Sequence, residues 1–322
     1  MTMKELAKLA NVSVSAVSKA FSEADDISLE TKEHIFSLAK EYGCYGKFYK
    51  GKYHKKIVAI ICPELLGNYY TYFVDNLREL IEAAECMCVV SADNFSSAKQ
   101  AELIDYYISY LKVDGLIVFN LSTSIKKAYD TPIVSLFSES SEHIDSVTTD
   151  MRGAIHRAVD TLAELGHNKI AFIGEPLTRS KAEFFQQAIA THSPCSAFLV
   201  ESTQRFEKAG EDGVRQLIEN HPPVTAIVCA YDNIAYGAIR QLKKEGFLVP
   251  QDISVIGIDN NIVSEYTKPS LTTIDTNPRE VCQIAWELLH RKLFDHGFKA
   301  QQSIVIKADL VLRESISHVK VP

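Results

Sequence analysis

Residues 1–22 read MTMKELAKLANVSVSAVSKAFS, and the apolar spacing predicts two short helices joined by a tight turn. Leu6, Leu9 and Ala10 form a stripe on the first, with Ala7 at a close-packed position, and Val12, Val17 and Phe21 supply the opposing set. The two helices can therefore bury a shared face. Asn11 tolerates the left-handed backbone of a sharp turn, and Ser13 is suited to cap the second helix. The outer side of that helix carries Val14, Ser15, Ser18 and Lys19, short or flexible groups able to approach base edges and phosphates in a major groove. A third helix is expected from about Leu29 to Tyr42, capped by Ser28 and faced with Ile35, Leu38 and Ala39. Residues 1–43 then make a three-helix, helix-turn-helix DNA-binding domain. The plainer alternative is a helical hairpin that only packs against a larger domain.

Charge separates the two possibilities. Residues 1–56 hold 10 Lys against 7 acids, a net of +3, whereas the remainder is -10 in a chain of net -7. A phosphate backbone is attracted to the front end only. With 322 residues and 46% hydrophobic content, the chain has room for a small domain and one or two larger lobes. No apolar run approaches the roughly 20 residues that span a bilayer, and no secretion signal opens the chain, so a cytoplasmic address without membrane contact is expected. The seven cysteines (Cys44, Cys62, Cys86, Cys88, Cys195, Cys229 and Cys282) include no CxxC pair, and neither a disulfide framework nor a metal site is expected.

From Lys56 onward, β-branched runs alternate with amphipathic helices. The clearest strands are 57–63, 86–92, 115–121, 132–137, 169–174, 226–231 and 253–259, and the helices fall at 72–84, 97–112, 153–165, 180–192, 207–220, 233–245 and 278–294. Continuously apolar strands separated by helices imply an α/β architecture with parallel sheets covered on both faces. There are too many strands for one compact sheet, so two similar lobes are expected, with a ligand at the carboxyl ends of strands where they face each other. Strand tips there are polar: Asp150 follows HIDSVTT, Tyr231, Asp232 and Asn233 follow AIVCA, and Asp259, Asn260 and Asn261 follow ISVIGI. Carboxylates and amides so placed pair with the neighbouring hydroxyls of a polyol or sugar. Helix capping is the competing role for Asp232 and Asn233. Tyr69, Tyr70, Tyr72 and Phe73 gather near the first strand, where aromatic faces can stack on a sugar ring or a base.

These residues carry a resemblance. VSVSAVSKAF (12–21) is similar to the VSxxTVSRxxN signature of the LacI family of bacterial transcription regulators, with Ala16 for the usual Thr, Lys19 for Arg and Ser22 near the usual Asn. The block at 147–174, VTTDMRGAIHRAVDTLAELGHNKIAFIG, and the stretch from TAIVCAYDNIAYGAI through ISVIGIDN (225–260), followed by KPSLTTI, resemble the same family in order and at the right spacing. The resemblance implies a homodimer reading a pseudo-palindromic operator in double-stranded DNA, with base and nearby phosphate contacts from Val14, Ser15, Ser18 and Lys19, supported at Ser13, and further phosphate contacts from Thr2, Ser28 and Thr31. It implies a two-lobed, periplasmic-binding-protein-like domain over 57–322 with crossovers near 160, 275 and 306: lobe 1 at about 57–160 and 276–305, lobe 2 at about 161–275 and 306–318. Effector contacts carry over to Tyr72 or Phe73, Asp150 and Asp259, beside Tyr231 and Asp232. A carbohydrate clamped there would alter operator affinity, a repressor is expected, and neither a catalytic residue nor a cofactor is called for.

Two departures stand out. Family members carry a hinge helix with a Pro-Asn-x-x-Ala-x-x-Leu pattern whose Leu wedges into the minor groove. Here residues 44–56 are rich in Gly, Tyr and Lys, which favours a basic linker touching phosphates through Lys47 and Lys50 over a helix that folds on DNA with Phe48 or Tyr49 as wedge. In the pocket, Phe185 occupies the place of the family's usual arginine, and Arg179 is a candidate substitute. An α/β enzyme and a plain solute-binding protein are the competing readings. The first lacks a phosphate loop, nucleophile elbow or HExxH motif, and the second does not account for the headpiece. The tail leaves no room for a tetramerising helix, so a dimer is expected.

Overall fold

Thr2 opens the first helix, α1 (Met3–Leu9), through a capping box: its hydroxyl accepts the Glu5 N–H at 3.3 Å while the Glu5 carboxylate accepts the Thr2 N–H at 2.6 Å. Asn11 turns the chain at φ 54°, and Ser13 Oγ accepts the Ala16 N–H at 3.0 Å to start α2 (Val14–Phe21). Ser28 does the same for α3 (Leu29–Glu41), accepting the Thr31 N–H at 3.2 Å. Leu6, Val17, Phe21, Ile35 and Ala39 form the shared core; Leu9, expected in the stripe, is instead exposed, and Ala7 and Ala10 take the buried positions beside Leu6.

The headpiece does not stop at Gly43. That glycine, at φ 64°, ends α3 and reverses the chain, so the Cys44 N–H reaches the Ala39 carbonyl at 2.8 Å and a short helix α4 (Tyr45–Phe48) folds back. The Phe48 ring is buried, 5.9 Å from Phe21, and Tyr45 lies 5.7 Å from the same ring. Residues 44–48 thus belong to the headpiece core and not to a linker. Aromatic burial outweighs the helix cost of Gly46, and Phe48 is unavailable as a minor-groove wedge while it packs there.

The computed structural model describes residues 1–22, 24, 26–48, 55–122, 129–138, 144–220, 223–295, 298 and 300–320, and the chain divides at Lys56 into two units. The second holds two sheets. The first has the order β2-β1-β3-β4-β5-β11, from β1 (Ile57–Cys62), β2 (Met87–Ala92), β3 (Gly115–Phe119), β4 (Ile133–Leu136), β5 (Asp145–Thr149) and β11 (Ser303–Ile306), all parallel. The second has the order β7-β6-β8-β9-β10-β12, from β6 (Lys169–Gly174), β7 (Ser196–Glu201), β8 (Ala226–Cys229), β9 (Ser254–Ile258), β10 (Thr272–Asp275) and the antiparallel β12 (Asp309–Val311). Side-chain alternation on β1 explains the double covering. Val58, Ile60 and Cys62 face α5 (Asn68–Ala83) and α11 (Pro278–Phe294), while Ala59 and Ile61 face α6 (Ser97–Asp105) and its π-helical continuation Tyr106–Leu111.

The second sheet is covered by α7 (Met151–Glu164), α8 (Arg179–Ala190), α9 (Glu207–Asn220) and α10 (Asp232–Lys244). α9 and α10 touch backbone to backbone: a Cβ on Gly237 would sit 1.8 Å from the Glu207 carbonyl oxygen. The first crossover lies earlier than expected. Asp150 caps α7 directly after β5, and Ala154, Ile155, Ala158, Val159 and Leu162 bury themselves on the second sheet, so the chain changes lobe at about residue 150 and not near 160. The other two crossings fall between β10 and α11 and between β11 and β12. His167, after the turn that ends α7, is buried between the Thr225 hydroxyl and the Ser317 carbonyl, both at 2.9 Å. Nε2 donates to the carbonyl and Nδ1 accepts from the hydroxyl, so the ring uses both nitrogens to pin the C-terminal segment.

Candidate functional site

On the headpiece, α2 presents Val14, Ser15 and Ser18 to solvent, while Lys19 is half-buried and forms an ion pair with Asp26. Thr2, Ser13 and Ser28 all cap helices, and the Ser28 and Thr31 hydroxyls hydrogen-bond to each other at 2.7 Å. Lys47 Nζ donates to the Met1 carbonyl at 3.0 Å, which ties α4 to the chain start. Lys50 and Tyr49 lie outside the described residues. A phosphate reaching Lys19 would have to compete with Asp26 for it, so on the expectation that this headpiece meets DNA, Lys19→Ala should weaken binding about tenfold and reduce the log–log salt slope by about one, whereas Asp26→Asn should raise affinity. Fluorescence anisotropy at several salt concentrations checks both, and unchanged slopes would remove Lys19 from the phosphate contacts.

In the second unit, strand order decides where a ligand fits. Each sheet reverses direction of growth at its first strand, between β1 and β3 in one and between β6 and β8 in the other, and such a switch point opens a crevice at the carboxyl strand ends. Both crevices face one cavity of about 690 Å³. Glu64 and Asn120 follow β1 and β3, Glu175 and Tyr231 follow β6 and β8, and Asp259 follows β9; all five line it. An adjoining cavity of about 1050 Å³ shares Asn68, Tyr69 and Asp259 with it and is otherwise bordered by α5, the start of α11 and Arg313.

Aromatic rings floor the first lobe's side. Tyr69 and Tyr70 meet edge to face at 5.1 Å, and the Tyr70 hydroxyl accepts from Asn120 Nδ2 at 3.3 Å. Phe73 is buried behind them, 5.9 Å from Phe119 and 5.2 Å from Phe137. On the other side, the Tyr231 hydroxyl accepts the Phe206 N–H at 3.0 Å. Arg205 bridges the lobes: two parallel N–H···O bonds of 2.9 Å join it to Glu64, and its Nε lies 3.3 Å from Glu175. Asp259, at φ 110°, has a side chain only 7% exposed, with Lys181 Nζ 4.0 Å away. Burial pushes its carboxyl up to about 8, against the opposing pull of Lys181 and with reinforcement from Asp232.

Asp150 and Tyr231 border the cleft cavity and Asp259 both cavities, while Asp150 also caps α7 by accepting the Gly153 N–H at 2.9 Å. Four other expectations are corrected. Asp232 has no exposure; it accepts from Ser264 Oγ at 2.6 Å, Thr273 Oγ1 at 2.5 Å and the Asn261 N–H at 2.7 Å, a knot that fastens α10 to β10, and its neighbour Asn233 faces the cleft instead. Phe185 is fully buried against Phe172 at 5.4 Å, and Phe184, one residue earlier on α8, lines the cavity. Arg179 pairs with Glu201 at 2.7 and 2.9 Å beside a separate, smaller depression. Tyr72 and Phe73 border only the adjoining cavity, where the Tyr72 hydroxyl accepts from Arg279 Nε at 3.0 Å.

A helix-turn-helix headpiece followed by two switch-point sheets around one cleft is matched by known proteins. Residues 2–45 match the model of bacterial regulatory proteins of the lacI family, and residues 159–316 match that of periplasmic binding protein-like domains. The HTH-type transcriptional regulator AscG of Escherichia coli K12 is 26% identical over 312 residues, covering 91% of each chain. The HTH-type transcriptional repressor CytR of the same strain is 27% identical over 307 residues, covering 89% of this chain and 88% of the other. The chain belongs to the LacI family. A LacI family transcriptional regulator from Enterococcus faecium, solved with bound ribose, superposes with TM-score 0.72 at 24% identity, over 82% of this chain and all of its own, and shares the fold. The protein is thus a DNA-binding transcriptional regulator, and its relatives are regulators and not enzymes.

Within this LacI-family regulator, sequence reasoning missed Glu64, Glu175, Phe184 and Arg205. Glu64 and Glu175 sit one or two residues past apolar strands, a signal open to reading; Arg205 lies in the loop before α9 with no pattern to mark it. The cleft also sets a pH dependence. Asp259 holds in the folded chain a proton that the unfolded chain releases near pH 4, so its stability contribution is complete below about pH 4 and is lost as pH rises towards 8. Asp232, pushed up to about 6 by burial against the opposing hydrogen bonds of Ser264, Thr273 and Asn261, acts in the same sense over about pH 4–6. Thermal melts of Asp259→Asn should show a shallower decline in Tm between pH 6 and 8 than the parent; parallel declines would count against this assignment.

Proposed function

We propose that this regulator acts as a homodimeric repressor on a palindromic operator and that a small carbohydrate in the interlobe cleft controls its hold on DNA. The observation that carries the effector half is the convergence of both sheet switch points on one cavity edged by strand-tip carboxylates and aromatic rings. Carboxylates accept in pairs from vicinal hydroxyls, and the rings of Tyr69, Tyr70 and Phe184 offer faces to the apolar side of a sugar. Asp150, Tyr231, Asn233 and Asp259 are assigned as effector contacts. The ribose in the Enterococcus faecium regulator and the repressor role named for CytR support the same reading.

On the DNA side, Val14, Ser15, Ser18 and Lys19 are assigned to bases and nearby phosphates, and Thr2, Ser13, Ser28 and Thr31 to backbone positioning. Two-fold pairing of headpieces follows from a palindromic site, whose half-sites then lie about one helical turn apart. Ligand binding shifts the angle between lobes and so the spacing of the headpieces. Among the described residues no helix is long and apolar enough to cross a membrane, and a cytoplasmic location fits a DNA-binding regulator. Selection from random duplex DNA tests the reading: a two-fold symmetric consensus is expected, and recovery without any preferred sequence would reduce the headpiece to an electrostatic anchor.

A further inference from the structure

Among the described residues, four carboxylates, Glu64, Asp150, Glu175 and Asp259, border the cleft cavity. Among the same residues, three cations border this 690 Å³ cavity: Arg152, Lys181 and Arg205. Arg152 lies over the Phe184 ring at 5.0 Å, and Lys181 donates to the Ala230 carbonyl at 2.8 Å beside Asp259. Arg205 carries the bidentate bond to Glu64 and a second contact to Glu175. The two glutamates are almost wholly withdrawn from water, with side chains 9% and 2% exposed, whereas the guanidinium is 36% exposed and stacks near Phe206 at 4.7 Å. Glu64 and Arg205 come from different lobes, so the pair spans the cleft.

We infer that Glu64, by occupying Arg205 across the cleft, sets the charge class of the effector: the site takes a neutral polyhydroxylated ligand and rejects its phosphorylated counterpart. The inference rests on the effector reading above. A phosphate that reaches Arg205 must displace the Glu64 carboxylate from it and then remain beside that charge, while Glu175 and Asp150, which also line the cavity, add like charge. A neutral ligand meets no such opposition. Its hydroxyls donate to the same carboxylate oxygens, and its ring stacks on the aromatic floor. Withdrawing the Glu64 charge while keeping its shape leaves a guanidinium answered only by Glu175, in an orientation preset by Phe206 and able to receive a planar fork of phosphate oxygens.

Isothermal titration of the full chain with matched pairs, such as ribose and ribose 5-phosphate, glucose and glucose 6-phosphate, or cellobiose and its phosphate, tests this. The neutral partner of the binding pair is expected to bind at least tenfold tighter than its phosphate. Glu64→Gln should shrink that ratio about tenfold by tightening the phosphate, and the double variant Glu64→Gln with Arg205→Gln should lose the gain. Circular dichroism reports whether the variants fold; if they do not, the parent ratio alone decides. Equal or tighter phosphate binding by the parent, or a gain that survives Arg205→Gln, overturns the inference and leaves the effector reading in place. Binding of neither member of any pair overturns both.

Discussion

Phe21→Ala is expected to abolish specific DNA binding, a loss of at least 100-fold, while ligand binding by the larger unit survives. The ring is at the centre of the headpiece, with Phe36, Tyr45 and Phe48 at centroid distances of 5.0, 5.7 and 5.9 Å. Truncating a buried phenylalanine costs about 3–5 kcal/mol. A unit this small rarely has more than about 3–5 kcal/mol in hand, so the whole headpiece should unfold. The larger unit has separate cores and should keep its own thermal transition. The checks are anisotropy on a selected operator and the far-ultraviolet dichroism lost in the first melting phase. A Phe21→Ala protein that still bound the operator tightly would show that the aromatic cluster is dispensable.

Asp259→Leu is expected to weaken effector binding by roughly 10- to 100-fold. The side chain stands at the tip of β9, nearly enclosed, where the two cavities meet. Leucine is close in size but neither donates nor accepts, so a ligand hydroxyl placed there loses its partner. Leaving such a group unsatisfied costs about 1–3 kcal/mol, more where charge is involved, or roughly 10- to 100-fold in affinity. Because burial favours the protonated acid near neutral pH, Asp259→Asn, which keeps a donor and an acceptor, should fall between parent and Leu. Calorimetry with the effector, beside unaltered operator binding in its absence, makes the comparison. Equal effector affinity in all three proteins would move the site away from Asp259.

The helix-turn-helix was legible because its signals are local: Ser13 and Ser28 cap as their sequence positions demand, Asn11 takes positive φ, and Leu6, Val17 and Phe21 recur at helical spacing. The central strands were equally legible as apolar runs. β7 was not, since Ser196–Glu201 lies at a sheet edge and exposes most of its residues, nor was β10, whose Thr272 and Thr273 are buried by hydrogen bonding and not by apolarity. The site was half-read. Strand-tip position picked out Asp150, Tyr231 and Asp259, which border the cleft cavity, but which of two adjacent side chains points into a cleft depends on helix rotation. That rotation separates Asp232 from Asn233 and Phe185 from Phe184. Arg205 and its two glutamates come together only through long-range topology, with Glu64 and Arg205 141 residues apart in the chain.

The hinge contrast shows the same limit. Glycine content argued for a linker, yet burial of Phe48 beside Phe21 recruits residues 44–48 into the headpiece. Phe48, one of the two wedge candidates, is committed to that packing, and the other, Tyr49, lies outside the described residues.

Reciprocal linkage is the most direct test: operator affinity measured by anisotropy with and without a saturating neutral sugar, such as ribose, glucose or cellobiose, and sugar affinity measured by calorimetry with and without operator DNA. One sugar is expected to change operator affinity by fivefold or more, and operator to change that sugar's affinity by the same factor, as coupling between two sites on one molecule requires. A sugar that binds the cleft while leaving operator affinity untouched, in both directions of measurement, would contradict that coupling.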